Sequence, residues 1–200
     1  MRAIKAPANL LSQPMEWVCN ACCVMILLSC AFNTAAQSPS KEDSVRAAFL
    51  YRLAFFVTWP DTAFANAQAP ITLCVAASTS KQMVRLLLTA TTKQIANQRQ
   101  LTVRVVPDED ASSGGKLGTS VGCHMLFGAA FPNVDPEAAK GQTLLVVSSL
   151  AALNQGGHLA LVREQRTAGN ARLVFYAKRE RITDTSFKLS SKLMQLVRFQ

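Results

Sequence analysis

Ala47–Pro60 reads A-A-F-L-Y-R-L-A-F-F-V-T-W-P, and this stretch limits the fold more than any other. Val45, Ala48, Phe49, Leu53 and Phe56 recur at spacings of three and four, which predicts one face of a helix turned toward a core. Leu50, Tyr51, Ala54, Phe55 and Val57 fill most of the remaining faces, and only Arg46 and Arg52 break the apolar surface. A helix apolar nearly all round has to be covered on several sides. It is either the buried first helix of a domain or a helix shared between a core and a partner. Trp59-Pro60 is expected to stop it, because a residue before proline is pushed out of the α region.

The preceding residues have the layout of a secretory signal peptide. Arg2 and Lys5 give a positive start, Val18–Phe32 is apolar and small, and Thr34-Ala35-Ala36 offers small residues for cleavage. Cleavage is expected after Ala36, within a few residues. The apolar run is short against the roughly 20 residues a spanning helix needs. Leu27-Leu28-Ser29-Cys30 also resembles a lipoprotein signal acylated at Cys30, and an uncleaved anchor is a third outcome. The remaining chain, 37–200, is one ordinary domain of 164 residues without repeats or an internal linker.

The full chain carries 21 Lys and Arg against 12 Asp and Glu. Removing Arg2, Lys5 and Glu16 leaves 19 against 11, a net charge of +8. In a cytosolic chain that balance would suggest nucleic acid. Export argues against this, and the charges are scattered apart from Lys178-Arg179-Glu180-Arg181. They make either a solvated basic surface or one drawn to an anionic membrane face or acidic partner. Of six cysteines, only Cys74 and Cys123 lie beyond the signal region. In an oxidising compartment two cysteines allow one internal bridge, and the other reading is two separately buried thiols.

Strands and helices alternate along the rest. Ser40 with Asp43 predicts a capping box. Ile71–Ala76 predicts a strand, and Lys81–Thr92 a helix with Met83, Val84, Leu87 and Leu88 on its apolar side. Leu101–Val106 predicts a strand, Pro107–Thr119 a polar loop, Cys123–Phe127 a strand and Pro136–Lys140 a short helix. Thr143–Ser148 is apolar enough for a central strand, followed by a helical turn at Leu150–Leu153. His158–Val162 and Arg172–Tyr176 predict a hairpin, and Ser190 would cap a last helix carrying Leu193, Met194, Leu196 and Val197. The implied fold class is α/β: one layered domain, a mostly parallel sheet flanked by helices, and a C-terminal antiparallel hairpin.

No catalytic motif is visible. The chain has neither a Gly-rich phosphate loop nor G-x-S-x-G. His124 and His158 are its two histidines. Cys123 and His124 are neighbours, but adjacent strand residues point to opposite faces, so they do not converge. Asp108-Glu109-Asp110 reads as a solvated acidic run, with cation binding as the sharper alternative. Gly156-Gly157 reads as a turn, or as a close approach to a ligand. We expect no catalytic residue, no metal and no cofactor.

Four segments together resemble the YfiR-like family. They are Ala47–Tyr51 through Trp59-Pro60; Pro70–Val75; Cys123-His124-Met125-Leu126-Phe127; and the tail Gly156–Leu159, Arg172–Phe175 and Leu189–Met194. They occur in family order. The resemblance implies a periplasmic repressor of an inner-membrane diguanylate cyclase that binds the cyclase's sensor domain and lowers cyclic di-GMP and biofilm formation. It also implies a homodimer and a disulfide between Cys74 and Cys123, closing a loop of about 50 residues worth roughly 4 kcal/mol in the chain-entropy account. The second bridge of some relatives is absent, since Val147–Leu159 contains no cysteine. Phe131 and Phe199 sit in or near loops and termini and are the expected partner-binding anchors, with a core role as the alternative for each. The rival function is a periplasmic small-molecule binding module that uses the edge of the parallel sheet. An enzyme with an unrecognised site is a third, disfavoured by the lack of convergent His, Cys and carboxylate groups.

Overall fold

The computed structural model describes residues 41–109, 122–131, 141–165 and 171–200. The expected signal segment, Ser40, Asp110 and the expected helix Pro136–Lys140 lie outside them. Chain order runs α1 (Lys41–Leu53), β1 (Val57–Thr58), β2 (Ile71–Ala76), α2 (Lys81–Thr91), β3 (Ile95–Ala96), β4 (Arg99–Val106) and β5 (Met125–Gly128). It continues with β6 (Leu144–Val147), α3 (Leu150–Asn154), β7 (Leu159–Gln165), β8 (Ala171–Ala177), α4 (Arg179–Thr183), β9 (Lys188–Leu189), α5 (Ser191–Met194) and β10 (Val197–Phe199).

The main sheet has the order β10-β8-β7-β6-β5-β2-β4-β3. β4, β2, β5, β6 and β7 are parallel, β8 returns antiparallel beside β7, and β10 lies parallel to β8. β2, β5 and β6 are buried along their whole length, as central parallel strands require. Chain direction across the sheet reverses between β2 and β5: β2 leads outward to β4, and β5 leads the other way to β6 and β7.

Two apolar layers follow from strand alternation. Leu73, Val75, Met125, Phe127, Leu144 and Val146 pack under α1 and α2. Cys74, Leu126, Leu145, Val147 and Ala160 pack on the opposite face with Ala152 and Leu153 of α3.

The inward face of α1 is the expected one in part: Leu53 is buried and Phe49 and Phe56 pack against the core, while Val45 and Ala48 do not turn inward and are exposed. Ala47 and Leu50 are buried as well. An all-round apolar helix has little amphipathicity to choose a face, so tertiary bonds decide. Arg46 goes inward at 8% exposure because its charge is matched there. Its Nη1 donates to the Leu161 carbonyl of β7 at 2.8 Å and its Nη2 to Glu42 Oε1 at 2.7 Å.

The helix also ends six residues before Trp59. A short 3-10 turn, Ala54–Phe56, follows, and β1 then pairs antiparallel with β9. Strand pairing ends α1 before the proline does.

Two further expectations are corrected. Leu88 of α2 is exposed, while Met83 and Leu87 are buried and Val84 is partly so. Ser190 caps α5 through the Leu193 amide, but the helix stops at Met194. Leu196 is 63% exposed and Val197 enters β10 opposite Phe175. Glu164 holds this last strand: it accepts from Arg198 Nη1 at 2.7 Å, from Arg172, and from the Tyr176 hydroxyl. The Tyr176 hydrogen bond, with the two guanidinium groups, keeps the Glu164 carboxyl below its ordinary range.

Candidate functional site

The N-terminal ends of the parallel strands are closed by side chains. His124 precedes β5, and its backbone N–H donates to the Thr72 carbonyl at 2.9 Å. Its Nδ1 accepts the Thr72 N–H at 3.1 Å. His158 precedes β7 and repeats the device on Leu145, with 3.0 Å for the backbone bond and 2.9 Å at Nδ1. A backbone N–H can only donate, so Nδ1 is unprotonated in both rings. His124 therefore carries its proton on Nε2, which faces the Ala63 carbonyl at 3.2 Å.

Phe64 stacks on the His124 ring at 4.5 Å, and Trp59 meets it edge-on. The Arg99 guanidinium covers Phe64 at 3.6 Å and donates to the carbonyls of Asn66, Ala67 and Ala69. Burial lowers the His124 pKa to about 4; the Ala63 carbonyl opposes this shift and Arg99 adds to it. Both histidines thus use Nδ1 to extend a strand ladder. The same region holds the Cys74–Cys123 disulfide, with Cα atoms 5.7 Å apart. Both cysteines are buried, so the bridge joins β2 to the entry of β5 inside the second layer.

The C-terminal ends are open. Beyond them lies a crevice of about 190 Å³, lined among the described residues by Asp43 and Arg46 of α1, Ser78–Ser80 after β2, Ala129 after β5 and Ser148 after β6, with Met83 and Phe127 beneath. It sits where the winding of the sheet reverses, the usual ligand position in open α/β sheets. Its polarity follows from how the loops begin. Ser80 caps α2 by accepting the Met83 N–H, and its hydroxyl donates to Asp43 at 2.9 Å. The Ser78 amide and hydroxyl both donate to Asp108. Asp108 is therefore a loop anchor. Hydroxyls and loop amides here suit a small polar molecule, and the volume is below the 300–1,000 Å³ of typical drug-sized sites.

The other expected positions divide. Phe131 sits in the core, at 0% exposure and packed beside Gly128. Phe199 is partly buried, with the Arg179 guanidinium 4.3 Å above its ring. At Gly157 a Cβ would lie 2.9 Å from Val147 Cγ2, so the close approach there is to β6 and not to a ligand. Gly156 has φ +134°, which makes the turn. Among the described residues no group of three His, Cys, Asp or Glu could hold a metal ion, and no helix is long and apolar enough to cross a membrane.

The YfiR/HmsC-like family model matches residues 43–198 of this chain. No curated protein matches it.

Proposed function

Because this chain belongs to the YfiR/HmsC-like family, we propose that it is a periplasmic regulator that represses a membrane diguanylate cyclase by binding the cyclase's sensor domain. The observation that carries this reading is the reach of the match, from the first turn of α1 to the middle of β10. The family is regulatory rather than catalytic, and the repressor acts by differential affinity: it binds the inhibited state of its target more tightly and shifts the population. Moving the target from 1:99 to 99:1 takes about 5.5 kcal/mol of preference, within reach of an interface of ordinary size. Residues 1–36 serve as the export signal, residues 37–200 form the regulatory domain, and the working species is a homodimer. Phe199 remains a candidate anchor for the partner.

Cellular cyclic di-GMP tests the reading in three strains: wild type, a clean deletion, and the deletion complemented by a form lacking residues 1–36. The expected result is a rise on deletion that the unexported form does not reverse. An unchanged level breaks it. The crevice at the winding reversal favours a second reading, a small-molecule binding module, in which case a small polar metabolite raises the melting temperature and Ser148→Tyr, which fills the crevice, abolishes the shift.

A further inference from the structure

We propose that His124 is a proton-operated latch on the strap Trp59–Pro70: a proton added at Nδ1 turns the acceptor of the Thr72 amide into a competing donor and releases the strap while the sheet stays paired. Among the described residues the strap is held to the sheet by one stack of rings, one guanidinium and an exposed hydrogen bond from Gln142 Nε2 to the Thr62 hydroxyl. Trp59 and Phe64 clasp the His124 ring, Ala63 accepts from its Nε2, and Arg99 lies on the outer face of Phe64 while gathering the carbonyls of Asn66, Ala67 and Ala69. Within this stack it is the Thr72 contact that requires an unprotonated Nδ1; the Ala63 carbonyl accepts from Nε2–H in either charge state, so release is driven from the Thr72 side, where the ring must move. Protonation sets Nδ1–H against Thr72 N–H, two donors 3.1 Å apart. It also places a second cation across Phe64 from Arg99.

Arg99, from β4, is the charged group facing His124. β2 brings the Thr72 amide, and the strap brings Trp59, Phe64 and the Ala63 carbonyl. Among the described residues no carboxylate reaches either ring nitrogen to accept the new proton's charge. The effect is local because the backbone of His124 keeps its own ladder, donating to the Thr72 carbonyl and accepting from the Leu144 amide without help from the ring. His158 makes the same Nδ1 bond but packs against Phe187, not against the strap, which gives the molecule an internal control.

In place the ring takes a proton near pH 4, against 6.5 in water. Opening the strap returns the ring to water. Acidification from pH 7 to 4 should therefore favour the open strap by roughly a hundred-fold.

Amide exchange on the full chain, corrected for its intrinsic pH dependence, tests this alongside NMR titration of the two imidazoles. At pH 4 relative to pH 7, Thr72 and residues 63–69 should exchange about a hundred-fold faster while β6, β7 and β8 stay protected, with the change tracking the His124 signal. His124→Asn keeps an acceptor for the Thr72 amide at the Nδ1 position, though its shorter side chain gives up the Ala63 bond, and it does not titrate, so its strap should show no acid response. The idea is overturned if Thr72 stays protected as His124 titrates, if strap and β6–β8 open together, or if His124→Asn opens in acid like the native chain. Should that variant not fold, the native titration decides alone.

Discussion

The two ends of the parallel sheet are built on opposite plans. At the N-terminal ends, His124 and His158 occupy ladder positions on Thr72 and Leu145, and the disulfide crosses from β2 to the entry of β5. At the C-terminal ends the chain leaves the strands through small hydroxylated residues, Ser78–Ser80 and Ser148, and a crevice remains. One end spends its reactive residue types on closure. The other is lined by loop hydroxyls with Asp43 and Arg46 of α1 beside them, and leaves room for something else. The histidines and cysteines of this domain therefore mark where it is fastened, and hydroxyls with one acid and one guanidinium mark where it is open.

The contrast can be broken most directly at the bridge. Cys74→Ala with Cys123→Ala should lower stability by roughly 4 kcal/mol in urea unfolding. A loss near zero would mean the closed end owes its rigidity to packing alone. Acid comes next. Folded His124 binds its proton only near pH 4, whereas the unfolded chain binds it from about 6.5 downward. The unfolded state thus holds more protons in that window, and stability falls as pH falls through it. The loss is at most ~3 kcal/mol, less what solvent screening removes. Its measure is the native chain minus His124→Asn at each pH; parallel curves would break the argument. His158→Phe leaves the buried Leu145 amide without its side-chain acceptor and should cost about 1–3 kcal/mol, read as a lower thermal midpoint. At the open end, Thr79→Ala and Ser148→Ala should each shift stability by no more than about 0.5 kcal/mol. A large loss there would show that the crevice is part of the scaffold.

Strands of buried, branched residues are legible in the sequence: Ile71–Ala76 and the run Leu144–Val147 need no partner to be recognised. The elements that escaped are defined by distant pairing. Val57-Thr58 and Lys188-Leu189 are too short to carry a period, and each is a strand only because the other exists. Val197 fits a helix face by spacing until Phe175 claims it. The face of α1 is legible only in part, at Phe49, Leu53 and Phe56, because its pattern is apolar throughout and the deciding residue is a charged one, Arg46, whose carbonyl acceptor lies 115 positions away. The closed end was half legible, since the cysteines and histidines stood out while their roles did not. The crevice left no motif; its one signal was a strand running into Ser78-Thr79-Ser80 and a helix.

The β1–β9 pair also sets a schedule. Val57 finds Leu189 only after roughly 130 intervening residues have been laid down, and closing so long a loop is slow. The strap that follows β1 has nearer partners, since Arg99 and His124 come earlier in the chain than Leu189. Any shortened chain ending before Lys188 leaves the exit of α1 unpaired and a two-residue edge bare. The exit of α1 is thus finished only by the last segment of the chain, which pairs with it across the whole length of the fold.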